Sequence, residues 1–164
     1  PRGAAGLCSV CILLTLVQLL TIRRYDLPAV SDGPYLTLSQ MGLEGERSQE
    51  PLNDSTNRVE VCWSPVARIW DVRECLDVQG HTVILYQDVY EVGSGEAALE
   101  LAEVLKRQAV LGSEFRLMDV PGLDGAWLTG NEAVAVRDGT VWYCTLIDFG
   151  GDEDMDGLLD ALAG

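Results

Sequence analysis

The residues with reactive or ligating side chains fall into a few short clusters. Gly93-Ser94-Gly95-Glu96-Ala97-Ala98 matches G-x-G-x-x-A between a predicted strand and a predicted helix. Asp119 ends the next predicted strand, 21 residues after Ala98, near where a ribose-binding acid would lie. Three features oppose a dinucleotide site. The preceding strand carries Gln87, Asp88 and Glu91, unlike the buried first strand of a parallel sheet. Glu96 would lie where a pyrophosphate charge should rest. Short strands and a hairpin follow Asp119, not a second βαβ half. A Gly-Ser turn that caps a helix is the simpler reading.

Asp152, Asp154, Asp156 and Gly157 match the first half of a D-x-D-x-D-G calcium loop, with Asp160 at its ninth position. Ala163 occupies the twelfth position, where a bidentate Glu should stand, so an acidic cap on a terminal helix accounts better for the pattern. Cys8 and Cys11 have C-x-x-C spacing inside an apolar run, where cysteine behaves as a small hydrophobe. Cys62, Cys75 and Cys144 lie further on, and Cys62–Cys75 is the simplest candidate disulfide because their strands are expected to be neighbours. Buried free thiols are the alternative. With one histidine, His81 at a Gln-Gly-His turn, and no paired C-x-x-C in the domain, no metal ligand set is assigned. There is no G-x-S-x-G and no Ser/His/Asp arrangement, so no catalytic residue and no cofactor is assigned. Trp63, Trp70, Trp127 and Trp142 fit a core better than a binding groove. The loop Pro121-Gly122-Leu123-Asp124-Gly125 beside Trp127 is the candidate recognition element. Leu123, Asp124 and Trp127 are its named residues, because loops on a rigid scaffold tend to carry binding.

The elements that would position these residues are clearest between Thr82 and Ile147. ARIWDVRECLDV and TVILYQDVYEV are rich in β-branched and aromatic residues and flank Gln79-Gly80-His81, which predicts a hairpin. Ala98, Leu101, Ala102, Leu105 and Ala109 recur at three- and four-residue spacing and predict an amphipathic helix. Ser94 is its N-cap, Gly112 its stop, and Glu103 and Arg107 an i,i+4 pair. EFRLMDV, AWLTG, AVAV and TVWYCTLI read as further strands, the last two joined through Asp138-Gly139 as a tight turn. In TVWYCTLI both faces are largely apolar, which predicts a central strand. RVEVCW reads as another strand and MDGLLDALA as a short terminal helix.

Residues 3–22 carry no charge and contain LCSVCILLTLVQLLTI, flanked by Arg2 and by Arg23, Arg24 and Tyr25. As a helix the run is about 30 Å long, enough to cross a bilayer's hydrocarbon core. No small-x-small site follows it, so a membrane anchor over 1–24 is preferred to a cleaved signal peptide or a buried helix. Residues 25–57 are rich in Pro, Gly, Ser, Asp and Asn and read as a polar spacer. Within it, Tyr35, Leu36, Leu38 and Met41 can pack on the domain as a short docking segment. Residues 58–164 form the domain. The arginine count around the span favours a cytoplasmic domain, whereas the spacer chemistry favours export, and the outward orientation is preferred. After residue 24 there are 26 acids against 8 bases, a formal −18, which disfavours nucleic acid as a partner. Solubility accounts for most such charge; a cationic partner or metal is the sharper reading.

YLTLSQMGLEGER, VILYQDVYEV with its helix, and VPGLDGAWL together resemble uncharacterised membrane proteins of Gram-positive bacteria. That resemblance implies hydrophobic spans joined to a small extracytoplasmic α+β domain, and it transfers no site residues. The expected architecture is therefore α+β. A transmembrane helix precedes an antiparallel sheet of about five or six strands with one main helix packed on a face. The expected function is a non-enzymatic, single-pass, extracytoplasmic binding or interaction module. Its partners are the membrane and another membrane or surface protein. The alternatives are a structural subunit of a membrane complex and, behind it, an enzyme using surface carboxylates.

Overall fold

Hairpin turns and one amphipathic helix set the course of the chain. The computed structural model describes residues 33–53, 66–108, 114–150 and 155–164, with backbone alone for 47–53 and Gln108. Its strands are β1 (Glu46–Asn53), β2 (Val66–Val78), β3 (His81–Val92), β4 (Arg116–Met118), β5 (Gly125–Thr129), β6 (Glu132–Arg137) and β7 (Thr140–Asp148). Its helices are α1 (Gly95–Gln108) and α2 (Met155–Ala163), with one 3₁₀ turn at Leu38–Met41. The predicted anchor over 1–24, with Cys8 and Cys11, lies outside the described residues, as do Cys62, Trp63, the RVEVCW strand, Ala109, Gly112 and the head of the acidic loop at 152–154. Among the described residues no helix is long and apolar enough to cross a membrane.

The α+β expectation holds: every strand pairing is antiparallel, in the order β1-β2-β3-β7-β6-β5-β4. The sheet has seven strands, more than the expected five or six. β1 comes from the stretch read as spacer. It carries Pro51 and two register shifts against β2, features an edge strand tolerates and a hydrophobic pattern does not reveal. Gln79 and Gly80 take φ of 49° and 95°, and Asp138 and Gly139 take 51° and 77°. Positive φ at both central residues is the I′ geometry that matches strand twist, so these two turns fix the β2–β3 and β6–β7 registers. All-antiparallel pairing around β3 removes the parallel βαβ setting that a dinucleotide fingerprint needs.

After β3 the chain crosses one face of the sheet as α1. The Ser94 hydroxyl accepts from Ala97 N–H at 3.2 Å, and its carbonyl accepts from Ala98 N–H at 3.0 Å. Ala98, Leu101, Ala102 and Leu105 are buried against Val66, Ile69, Tyr90, Val134, Val136 and Val141. Glu103 pairs with Lys106 at 2.6 Å, not with Arg107 as expected. The Lys106 ammonium also lies 4.0 Å from the Trp127 ring, a position that favours the i,i+3 partner. The chain then reaches the far edge, and β4 to β7 return as a meander that sets β7 beside β3, in the centre of the sheet as predicted.

The opposite face is closed by α2 and by residues 33–43. The short helix expected over MDGLLDALA is α2, whose Met155, Leu158, Leu159 and Leu162 are buried. Beside it lies a strap, residues 33–43, the docking segment foreseen within the spacer. Leu36 and Leu38 are buried among Trp70, Val72, Leu76, Leu85 and Trp142, worth about 1.5–3 kcal/mol each. Side chains of the sheet satisfy the strap's backbone. Gln87 accepts from Leu36 N–H at 2.8 Å and donates to Leu36 O at 2.6 Å. Glu74 accepts from Leu38 N–H at 2.6 Å, and Trp142 Nε1 donates to Pro34 O at 2.7 Å. A Cβ on Gly33 would come within 2.8 Å of the Trp70 ring, so the strap enters over Trp70 where a side chain would clash.

Candidate functional site

Strand alternation sends Asp71, Arg73, Tyr86, Asp88, Tyr143 and Thr145 to the face that α1 only partly covers. Register arranges them in two rows. Asp71 opposes Asp88, and Asp88 opposes Tyr143. In the next row Arg73 opposes Tyr86, Tyr86 opposes Thr145, and Thr145 opposes Glu132. Neighbours along a row stand about 4.5–5.5 Å apart at Cβ, within reach of one small group. Asp71, Tyr86, Gln87, Asp88, Tyr143 and Thr145 line a cleft of ≈ 150 Å³. Tyr86 is 38% exposed, and Asp71, Asp88, Tyr143 and Thr145 are half-buried.

The walls of the cleft are aromatic and anionic. Tyr143 donates its hydroxyl to Glu132 Oε1 at 2.6 Å. Burial, then the hydrogen bond to Glu132 and its charge, and then the charge of Asp88, hold the Tyr143 phenol well above its ordinary range. Tyr143 is therefore a neutral donor, fixed by Glu132, at physiological pH. The Arg73 guanidinium stands 5.3 Å from the Tyr86 ring, so this surface already carries a cation–aromatic contact. Opposed aspartates on adjacent strands are a costly pairing for a sheet in isolation. Among the described residues no group of three or more His, Cys, Asp or Glu side chains is placed to hold a metal ion.

The residues singled out from the sequence lie elsewhere. Leu123 and Trp127 pack with the two different core clusters, one on each face of the sheet. Leu123 packs against the core on the strap side. Asp124 accepts from Asp138 N–H at 2.9 Å and donates its own N–H to Val136 O at 2.7 Å, tying the β4–β5 loop to the β6–β7 hairpin. Trp127 packs under Lys106 on the α1 side. Cys75 is buried on β2, and its candidate partner Cys62 is outside the described residues. Cys144 is a buried thiol held protonated, first by burial and then by the charge of Asp88, so it is a poor nucleophile. His81 Nε2 lies 3.1 Å from Asp148 Oδ1, which also accepts from Gly150 N–H at 2.9 Å, pinning the β2–β3 turn to the end of β7. Trp70 and Trp142 are core, as expected.

The cleft residues were partly within reach of sequence reasoning. The Gln79-Gly80 turn sets the register that opposes Asp71 to Asp88 and Arg73 to Tyr86. Tyr143 and Thr145 join them through the β3–β7 pairing, which joins strands distant in sequence. No protein family, curated protein or solved structure matches the chain.

Proposed function

We propose that the chain is a membrane-anchored, non-enzymatic binding module of the cell surface, and that its partner docks on the rows of the sheet that α1 leaves uncovered. One observation carries this reading. The Asp71–Asp88–Tyr143 and Arg73–Tyr86–Thr145 rows form a half-exposed surface with a cleft on a rigid central sheet. Rigid strands hold such a surface in shape without a ligand, which lowers the ordering cost of binding. The uncharged, apolar residues 3–22 support the anchor, and the polar composition before the domain supports the outward orientation. No reacting group is required.

The test is made in intact cells. A photo-crosslinking residue replaces Thr145 in the cleft or Glu100 on the solvent side of α1, and Phe149→Cys, at a site 69% exposed, reports topology. The expected result is a discrete crosslinked partner from position 145 and none from position 100, with position 149 labelled by a membrane-impermeant maleimide. Equal, diffuse crosslinking from both sites would refute the docking surface. Labelling only after lysis would place the domain inside the cell.

A further inference from the structure

We propose that two copies of the chain pair through the outer edge of β4, antiparallel and centred on Phe115, so that Glu114 of each copy faces Arg116 of the other. The contact goes beyond the docking surface proposed above and is independent of it, because β5 and β6 separate β4 from the cleft strands β2, β3 and β7. The two edges of the sheet differ. β1 carries Pro51 and two register shifts, features that discourage a further strand. β4 pairs β5 without a shift and holds no proline or lysine. The outer side of such a strand offers backbone N–H and C=O groups to a newcomer. Leu117 on this edge is 73% exposed, the most exposed large hydrophobic side chain among the described residues. It stands opposite Trp127, on the face where Phe115 is half-buried. A strand this short holds a partner poorly by hydrogen bonds alone, so side chains must choose the register. Symmetry leaves few choices. A two-fold axis normal to the sheet keeps every side chain on its own face, so residues of like parity meet. Centred on Arg116, the two guanidinium groups would face each other. Centred on Leu117, Phe115 would face Asp119, and centred on Met118, Leu117 would face Asp119. Centred on Phe115, the rings meet, both Glu114–Arg116 pairs are opposite in charge, and each Leu117 lies diagonal to the other copy's Phe115. Glu114 and Arg116 are exposed, and among the described residues neither has an ion pair or side-chain hydrogen bond of its own. Net repulsion between two acidic chains is screened beyond about 8 Å at physiological salt, so the contact pairs decide.

The experiment measures sedimentation equilibrium of the full chain in density-matched non-ionic micelles, with fluorescence transfer between differently labelled copies. A concentration-dependent monomer–dimer equilibrium is expected. Leu117→Lys, at an exposed site, should leave thermal unfolding unchanged and weaken the dimer about tenfold or more. Glu114→Arg alone and Arg116→Glu alone should each weaken it about fivefold or more, since symmetry counts each clash twice. The two charge variants mixed in equal amounts should pair with each other as tightly as the parent chain, because every facing pair is again opposite in charge. Phe149→Ser, exposed at the end of β7, should have no effect. A monomer at all concentrations up to about 1 mM would overturn the proposal. So would a dimer indifferent to Leu117→Lys, which association of the apolar residues 3–22 would explain. Loss of the dimer on Leu117→Lys without rescue in the mixed charge variants would overturn the Phe115-centred register.

Discussion

The two faces of the sheet handle polar side chains in opposite ways. On the strap side, Glu74 and Gln87 are each 1% exposed, and both are consumed by the backbone of Leu36 and Leu38. On the α1 side, Asp71, Asp88 and Tyr143 stay half-exposed around a cleft. The contrast runs through a single strand, since Gln87 lies between Tyr86 and Asp88 and points the other way. A buried polar group stabilises a fold only when its partners are complete. The strap completes them, so that face is architecture. Among the described residues the other face has no strap, and Asp71, Asp88 and Tyr143 stay half-exposed around the cleft.

The largest effect should come from breaking the closed face. Leu38→Ala removes a fully buried anchor and is expected to cost about 2–5 kcal/mol in urea unfolding. A change within about 0.5 kcal/mol would mean that the strap is not docked in solution. Gln87→Leu leaves the N–H and C=O of Leu36 without their side-chain partners and should cost about 1–3 kcal/mol for each buried group. It should also speed exchange of the Leu36 amide. If it is neutral, the strap is held by its leucines alone.

Much of this architecture is legible in the sequence, and the gaps have physical causes. Asp138-Gly139 announces its hairpin because I′ turns need residues that accept positive φ, and Gln79-Gly80-His81 marks the other by parting two β-rich runs. The Ala98–Leu105 stripe announces α1, and the doubly apolar TVWYCTLI announces the central β7. Gln87 misleads, because a polar residue in a strand reads as solvent-facing and only the strap makes its burial tolerable. The strap reads as a docking segment within the spacer through Tyr35, Leu36, Leu38 and Met41, but its hydrogen bonds to Glu74 and Gln87 carry no local signal. β1 lacks alternation because it is an edge with register shifts. The cleft depends on β7 lying beside β3, a pairing imposed by the route of α1 and not by any local signal.

On the open face, smaller effects are expected, and they sharpen the comparison. Tyr143 has a folded pKa raised above its unfolded value near 10. Its contribution is therefore fully present below about pH 10 and is lost as pH rises from there toward the folded pKa. Tyr143→Phe, followed by thermal unfolding across that range, should show a shallower alkaline loss of stability than the parent chain. An identical alkaline slope would remove the Glu132-fixed phenol from the account. Smallest of all, Asp88→Asn should change stability by within about 0.5 kcal/mol, since the half-buried side chain keeps its size and no core is emptied. A loss above about 2 kcal/mol would make Asp88 a structural residue like Gln87.

The difference between the faces is tested most directly by carboxyl footprinting of the native chain with a carbodiimide and glycine ethyl ester, read residue by residue. Asp71 and Asp88 should react in the folded protein while Glu74 stays unmodified until the protein unfolds. Glu74 reacting as fast as Asp88 would contradict the account, since the strap would then not close its face and the asymmetry from which the docking surface is argued would be gone.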